Sequence, residues 1–198
     1  MHRHRSRHSP PPAHENSMTD ADDLEILIDA QAIERRVSEL AARISGDYAG
    51  KDLLLVCILK GAAIFAADLA RRLTVPARID FVQVSSYGSG TVSSHTIELQ
   101  KDINTNVRGK HVLLVDEIID TGHTMDYLVK HYQAQGPASI KTVVLLDKRS
   151  RRIKDVTVDH VGFEIPDRFV VGYGLDLNEQ HRNLPYIAVV PPEDTQAF

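Results

Sequence analysis

The chain reads as an α/β protein with a central, mostly parallel sheet flanked by helices. Continuous apolar runs of strand length, LLLVCIL at 53–59 and TVVLL at 142–146, are what a strand covered on both faces requires. Segments with helical spacing separate these runs, and strands alternating with helices imply right-handed crossovers and parallel pairing. A third stretch, HVLLVDEIIDTGHTM from His111 to Met125, passes from apolar residues into two adjacent carboxylates and then a Thr/Gly turn.

Leu24 to Ile28 is a short apolar run, and Asp29 to Ser45 follows with Ile33, Val37, Leu40, Ala41 and Ile44 at helical spacing. Asp52 to Leu59 is a buried strand, Ala62 to Leu73 a helix stopped ahead of Pro76, and Ala77 to Ser85 an alternating strand. Ser86 to Ser94 is polar and rich in Ser and Gly, and Thr96 to Leu99 forms a return strand. Val112 to Val115 is the next buried strand. Met125 to Gln135 is a helix punctuated by Gly136-Pro137, and Ser139 to Leu146 is a further strand. Val158 to Val161, Arg168 to Gly172 and Pro185 to Val190 are short strands. No repeat of fixed period is present.

A buried strand that runs into Asp116 and Glu117 needs a reason, because desolvating carboxylates is expensive. A site at the carboxyl edge of a parallel sheet supplies one, since charges there meet water and ligand. The turn Asp120-Thr121-Gly122-His123-Thr124 has the chemistry of an anion cradle. Thr121 and Thr124 offer hydroxyls, Gly122 allows close approach or a positive φ, and the next helix points free amides back at the turn. The Walker pattern GxxxxGK[ST] is absent. Two acids beside a phosphate suit a polyol such as ribose, or a bridging cation. A D-T-G triplet alone is more often a surface turn with solvated acids. Strand, acid pair, turn and helix in one register are far more specific.

Composition narrows the classes. The 198 residues carry 42% hydrophobic residues and a net charge of −4, which gives no global attraction to nucleic acid or an anionic membrane. The single cysteine, Cys57, lies in an apolar run and reads as a small core hydrophobe; with no intrachain disulfide, a reducing cytoplasm is expected. No apolar stretch approaches the ~18 residues that span a bilayer. The first twenty residues, rich in His, Arg and Pro, lack the apolar centre of a secretory signal and are expected to be disordered, with Met18 a second candidate start.

HVLLVDEIIDTGHTM resembles the 5-phosphoribosyl-1-diphosphate (PRPP) binding motif of type I phosphoribosyltransferases, and the chain is most similar to the hypoxanthine-guanine family. Leu59-Lys60-Gly61, Ser85-Ser86-Tyr87-Gly88, Leu146-Asp147-Lys148-Arg149 and VGFEIPDRFVVGYGLDLNEQHR from Val161 to Arg182 resemble further family motifs in the expected order. The resemblance spans about Leu24 to Pro191. It implies a tail over 1–20 and one domain over 21–198. That domain has a core at about 46–150 and a small hood from about 24–28 and 156–190 over the carboxyl ends of the core strands.

The resemblance also implies residue roles. Asp116 and Glu117 hold the ribose hydroxyls, and Asp120, Thr121, Gly122, His123 and Thr124 hold the 5′-phosphate. His123 acts there mainly through its backbone amide. Asp120 is the residue expected to take the purine proton, although on general grounds it would cap the following helix. Lys60, Gly61, Ser86, Tyr87 and Arg182 face diphosphate, with an unusual cis peptide expected at Lys60–Gly61 and a lid at Ser86 to Ser94. Lys148 hydrogen-bonds O6 of a 6-oxopurine, Phe169 stacks on the base, Val170 offers backbone contacts and Asp176 lies beside them. Without the resemblance, Lys148 to Arg152 would read as a solvated basic surface. Asp176, Glu117 and Asp116 are the expected Mg²⁺ ligands. The implied partners are PRPP and a purine, with no nucleic acid and no membrane, in a homodimer or homotetramer. A nucleotide-responsive regulator that binds nucleic acid is the alternative. The acidic balance and the absence of a basic face argue against it.

Overall fold

The computed structural model describes residues 24–87 and 96–195. The tail expected at 1–20 lies outside them, as does the stretch 88–94 of the expected lid. The elements in chain order are β1 (Glu25–Ile28), α1 (Ala30–Asp47), β2 (Leu53–Leu59), α2 (Ala62–Arg72), β3 (Ala77–Tyr87), β4 (Thr96–Lys101), β5 (His111–Ile119), α3 (His123–Gln133), β6 (Ser139–Asp147), β7 (His160–Glu164), β8 (Val170–Val171), β9 (Ile187–Val189) and α4 (Pro192–Thr195). A short 3₁₀ turn, Arg149–Arg151, follows β6.

Six strands form the main sheet in the order β4-β3-β2-β5-β6-β7. Every pairing in it is parallel except that of β3 with the return strand β4. Alternate residues of a strand face opposite sides, and both sides here are packed. Leu53, Leu55 and Cys57 of β2 join Leu113 and Val115 of β5 under α1 and α2. Leu54, Val56 and Ile58 join Val112 and Leu114 on the opposite face, under Met125, Leu128 and Tyr132 of α3. That double burial is why these strands are apolar throughout. Asp29 caps α1 by accepting from the Ala32 amide at 2.7 Å. Among the described residues, no helix is long and apolar enough to cross a membrane.

Three boundaries differ from the sequence expectation. β5 does not stop at Val115 but runs through both acids to Ile119, because Asp116, Ile118 and Ile119 stay in register with Val144, Leu146 and Asp147 of β6. α3 begins at His123 rather than Met125, since Gly122 takes φ 86° and its carbonyl accepts from the Asp126 amide at 2.9 Å. β7, expected in the hood, is the sixth strand of the main sheet and pairs in parallel with β6 from Val143 opposite His160. The small antiparallel sheet β1-β9-β8 therefore takes its C-terminal share from the segment after Glu164.

His160 sits at the amino end of β7, buried, with neither ring nitrogen in a hydrogen bond among the described residues. Asp47 Oδ2 stands 3.6 Å from Nε2. Burial, the largest influence, lowers the imidazole pKa; Lys141 and Arg43 act with it, Asp47 and Asp159 against it. The unfolded chain takes up a proton below about pH 6.5 that the folded chain resists, so stability present above that pH is lost as acid is added. His160→Gln is expected to flatten this part of the pH dependence of the urea midpoint. An unaltered slope between about pH 7 and about pH 5 would assign it to other groups.

Candidate active site at the carboxyl edge

The carboxyl ends of β2 and β5 meet the hood segment 172–182, and the end of β6 lies beside that of β5. At the end of β2 the Leu59–Lys60 peptide is cis, one residue before the expected Lys60–Gly61 bond. Lys60 donates to Glu179 Oε2 at 2.9 Å across the gap between core and hood. Gly61 opens α2 at a point where a Cβ would lie 1.9 Å from Glu117 Oε1, so the Glu117 carboxylate occupies the space a side chain would take. Gly174 comes in from the hood, and a Cβ there would lie 2.0 Å from the Gly61 carbonyl oxygen. The layering Glu117–Gly61–Gly174 locks strand, loop and hood together.

Asp116 is buried and Glu117 half-buried. Asp116 is 8% exposed, and its Oδ1 accepts from the Glu117 amide at 3.0 Å. Burial first and the neighbouring Glu117 second hold its carboxyl well above the usual carboxylate range. Burial likewise raises Glu117; Arg182 opposes the shift and Asp176 adds to it. Glu117 Oε2 is buried with no hydrogen-bond partner among the described residues. Donors or a cation arriving beside such a pair favour its ionised form. Arg182 is not a free fork: it donates to the Gly174 carbonyl at 2.7 Å and reaches Asp176 Oδ1 at 2.8 Å and Glu179 Oε1 at 3.3 Å. Asp176 Oδ2 accepts from the Glu179 amide at 2.8 Å. Tyr173, Asn178, Glu179 and His181 all have positive φ, a concentration of backbone strain often found at working sites.

The turn after β5 has no side-chain helix cap, and Gly122 holds the N-cap place expected of Asp120. Asp120 Oδ1 instead lies 2.8 Å from Arg151 Nε, as an ion pair rather than an aligned hydrogen bond. Arg151 also reaches Asp167 at 3.4 Å. The amides of Thr121 and Gly122 have no acceptor among the described residues, and Thr124 lies in the first turn of α3, where amides lack intrahelical partners. His123 opens that helix. Lys148 is buried at the end of β6, contrary to the solvated-surface reading, and its ammonium has no hydrogen bond or ion pair among the described residues. Phe169 is 44% exposed, while Val170 is buried in β8. Ser86 and Tyr87 end β3 opposite Ile97 and Thr96.

Lys60, Gly61, Glu117, Asp176 and Arg182 thus share one contact network. Asp120 and Lys148 are joined through the β5 and β6 ends, where the Lys148 amide donates to the Ile119 carbonyl at 3.0 Å. Phe169 and Val170 sit on the hood and share no hydrogen bond or ion pair with Lys148. Among the described residues no three His, Cys, Asp or Glu side chains converge as a metal cage, so Asp116, Glu117 and Asp176 do not form the ready three-ligand set. Glu179, Asp147, Arg151 and Arg152 were missed by sequence reasoning. Their one signal was position: charged residues directly after an apolar strand, or within the hood motif.

A family model described as "Phosphoribosyl transferase domain" matches residues 23–178. The hypoxanthine-guanine phosphoribosyltransferase of Bacillus subtilis is 46% identical over 167 residues, covering 84% of this chain and 93% of its own. That of Aquifex aeolicus is 47% identical over 168 residues, covering 84% and 94%. Among solved structures, a hypoxanthine phosphoribosyltransferase from Staphylococcus aureus superposes with a TM-score of 0.85 at 42% identity, covering 90% of this chain and 98% of that one.

Gly174→Ala tests the layering. The added methyl meets the Gly61 carbonyl oxygen at 2.0 Å at a residue whose φ is +104°. Urea unfolding is expected to show a loss on the order of 3 kcal/mol. A midpoint equal to that of the parent would mean that core and hood are not packed this way.

Proposed function

Because this chain belongs to the hypoxanthine-guanine phosphoribosyltransferase family, we propose that its carboxyl edge holds PRPP and a 6-oxopurine side by side. The reaction is transfer of the 5-phosphoribosyl group from PRPP to N9 of hypoxanthine or guanine. It yields IMP or GMP plus diphosphate and serves purine salvage. Xanthine belongs to the proposal as a third base. The observation that carries the site assignment is the β5–α3 turn: a buried acid and a half-buried one, then unpartnered amides at Thr121 and Gly122, then a helix N-terminus.

In this reading the amides of the 120–124 turn and the Thr121 and Thr124 hydroxyls hold the 5′-phosphate. Asp116 and Glu117 accept from the ribose 2′- and 3′-hydroxyls. Their partial removal from solvent, which raises both carboxyls, makes arriving donors worth more than they would be in water. Lys60, Gly61 and Arg182 face the diphosphate, and Ser86 and Tyr87 close over it. Arg182 would be shared with Asp176 and Glu179 rather than released from them. Lys148 donates to the purine O6. Adenine carries a donor there and would leave the Lys148 ammonium facing another donor instead of an acceptor. Phe169 stacks on the base, and the Val170 backbone meets its edge.

As the bond from C1′ to diphosphate breaks, positive charge builds on the sugar; N9 attacks C1′, and the imidazole proton passes to the Asp120 carboxylate. No covalent enzyme intermediate is needed, so positioning and preorganised charge supply the acceleration. Magnesium is the cofactor we propose. The hard carboxylate oxygens of Asp176, Glu117 and Asp116 suit it, and Glu117 Oε2 lacks any other partner among the described residues. With no three-ligand cage present, the remaining ligands would be substrate oxygens and water, as is usual for this ion. When bound, Mg²⁺ supplies neutralisation of the leaving diphosphate. A homodimer or homotetramer is the proposed assembly, supported by the exposed Ile79 and Phe81 on β3. A cytoplasmic location is supported by the buried, unpaired Cys57.

Turnover with hypoxanthine, guanine, xanthine, adenine and uracil, each with and without Mg²⁺, tests this reading. Activity with the 6-oxopurines, none with adenine or uracil, and loss on chelation are expected; adenine turnover comparable to hypoxanthine would end the Lys148 assignment. Asp120→Asn is expected to lower kcat about 100-fold or more while PRPP affinity holds. Parental turnover in that variant would remove Asp120 from proton transfer.

A further inference from the structure

Three successive carbonyls of the β5–α3 turn are held from behind by a single segment. The Ile119 carbonyl accepts from the Lys148 amide at 3.0 Å, and the Thr121 carbonyl accepts from both the Ile153 and Lys154 amides at 3.0 Å. Between them, the Asp120 carbonyl accepts from Arg152 Nε at 3.1 Å. In a trans peptide the C=O and the next residue's N–H point in opposite directions, and none of these three peptides is cis. Drawing the carbonyls toward 148–154 therefore turns the amides of Asp120, Thr121 and Gly122 the other way. Those of Thr121 and Gly122 have no acceptor among the described residues.

Arg152 is the side chain in this clamp, and its own place is well defined. Nη2 donates to Asp147 Oδ1 at 2.6 Å, and Nη1 reaches the Val156 carbonyl at 3.5 Å. Both partners of the ion pair are largely buried, at 17% and 8% side-chain exposure. Asp147 is itself fixed, paired with Ile119 in the sheet and accepting from the Ile165 amide at 3.0 Å. The Arg152 stem lies so close to Gly122 that a Cβ there would be 3.0 Å from Cδ. A planar guanidinium satisfies three acceptors in three directions; a lysine ammonium on a flexible stem cannot reproduce that fork.

We propose that Arg152, anchored by Asp147, is a positioning residue that aims the turn's amides at the 5′-phosphate. This rests on the reading of that turn as the phosphate seat. The same segment begins with Lys148, so the purine contact and the phosphate amides are set by one stretch of backbone. A residue that merely held the fold together would affect every ligand alike. One that aims amides affects the phosphate alone.

Calorimetric titration with IMP and with inosine, which lacks only the phosphate, separates the two. Arg152→Ala is expected to weaken IMP about 10- to 100-fold, the scale of lost hydrogen bonds to a charged group, and to leave inosine as in the parent. Arg152→Lys is expected to fall between. Equal weakening of IMP and inosine, or no weakening of IMP, overturns the proposal. Should Arg152→Ala not fold, Asp147→Asn carries the same comparison: it frees Arg152 from its charged anchor, and a selective loss of IMP affinity is again expected. A parent protein that binds IMP no better than inosine would instead overturn the phosphate-seat reading, and the role of Arg152 with it.

Discussion

A buried carboxylate and a half-buried one side by side near the end of a strand impose conditions on everything around them. Asp116 and Glu117 lie within β5, not beyond it, with β6 alongside and protein packed above and below. Glu117 finds room only because residue 61 has no side chain, and the hood reaches residue 61 only because residue 174 has none. Arg182 offsets part of the electrostatic penalty, and Asp176 adds to it. An apolar replacement would pack more easily here, and that cost supports the proposed seat for hydroxyl donors and a cation.

The parallel sheet explains why these groups converge. β2, β5 and β6 run the same way, so their carboxyl ends open on the same side and their following loops lie together. Each end contributes a different chemistry: the Lys60–Gly61 loop after β2, the acids and amide turn of β5, and Lys148 after β6. On the other side the hood brings Asp176 and Arg182 to the ends of β2 and β5. Its sheet is small and antiparallel, joined to the core through Gly174 and the Lys60–Glu179 and Tyr173–Asp68 contacts.

Much of this was legible from residue order. Strands buried on both faces announce themselves as unbroken apolar runs, and β2 and β6 were located almost to the residue. The acid pair and the Thr/Gly turn were legible because both types of residue are costly or unusual where they stand. Other features carried no such mark. β7 reads locally like any short strand, and its membership of the main sheet is settled by its pairing with β6. The cis peptide falls at Leu59–Lys60 rather than one residue later, and no local pattern distinguishes the two. Arg151 and Arg152 belonged to a basic cluster that reads as solvated surface until their acidic partners, 31 residues back for Asp120 from Arg151 and 5 back for Asp147 from Arg152, are seen in space.

Period, polarity and the motifs along the chain specify the elements, their order and the types of group offered at the carboxyl edge, because these depend on neighbours within a few residues. Which groups are left unpartnered is a different kind of fact. Lys148 loses most of its exposure, Glu117 Oε2 its hydrogen bond and Arg182 its freedom through contacts between distant segments. Desolvation and pairing are properties of what surrounds a side chain from every direction, and linear order holds only the two directions along the backbone.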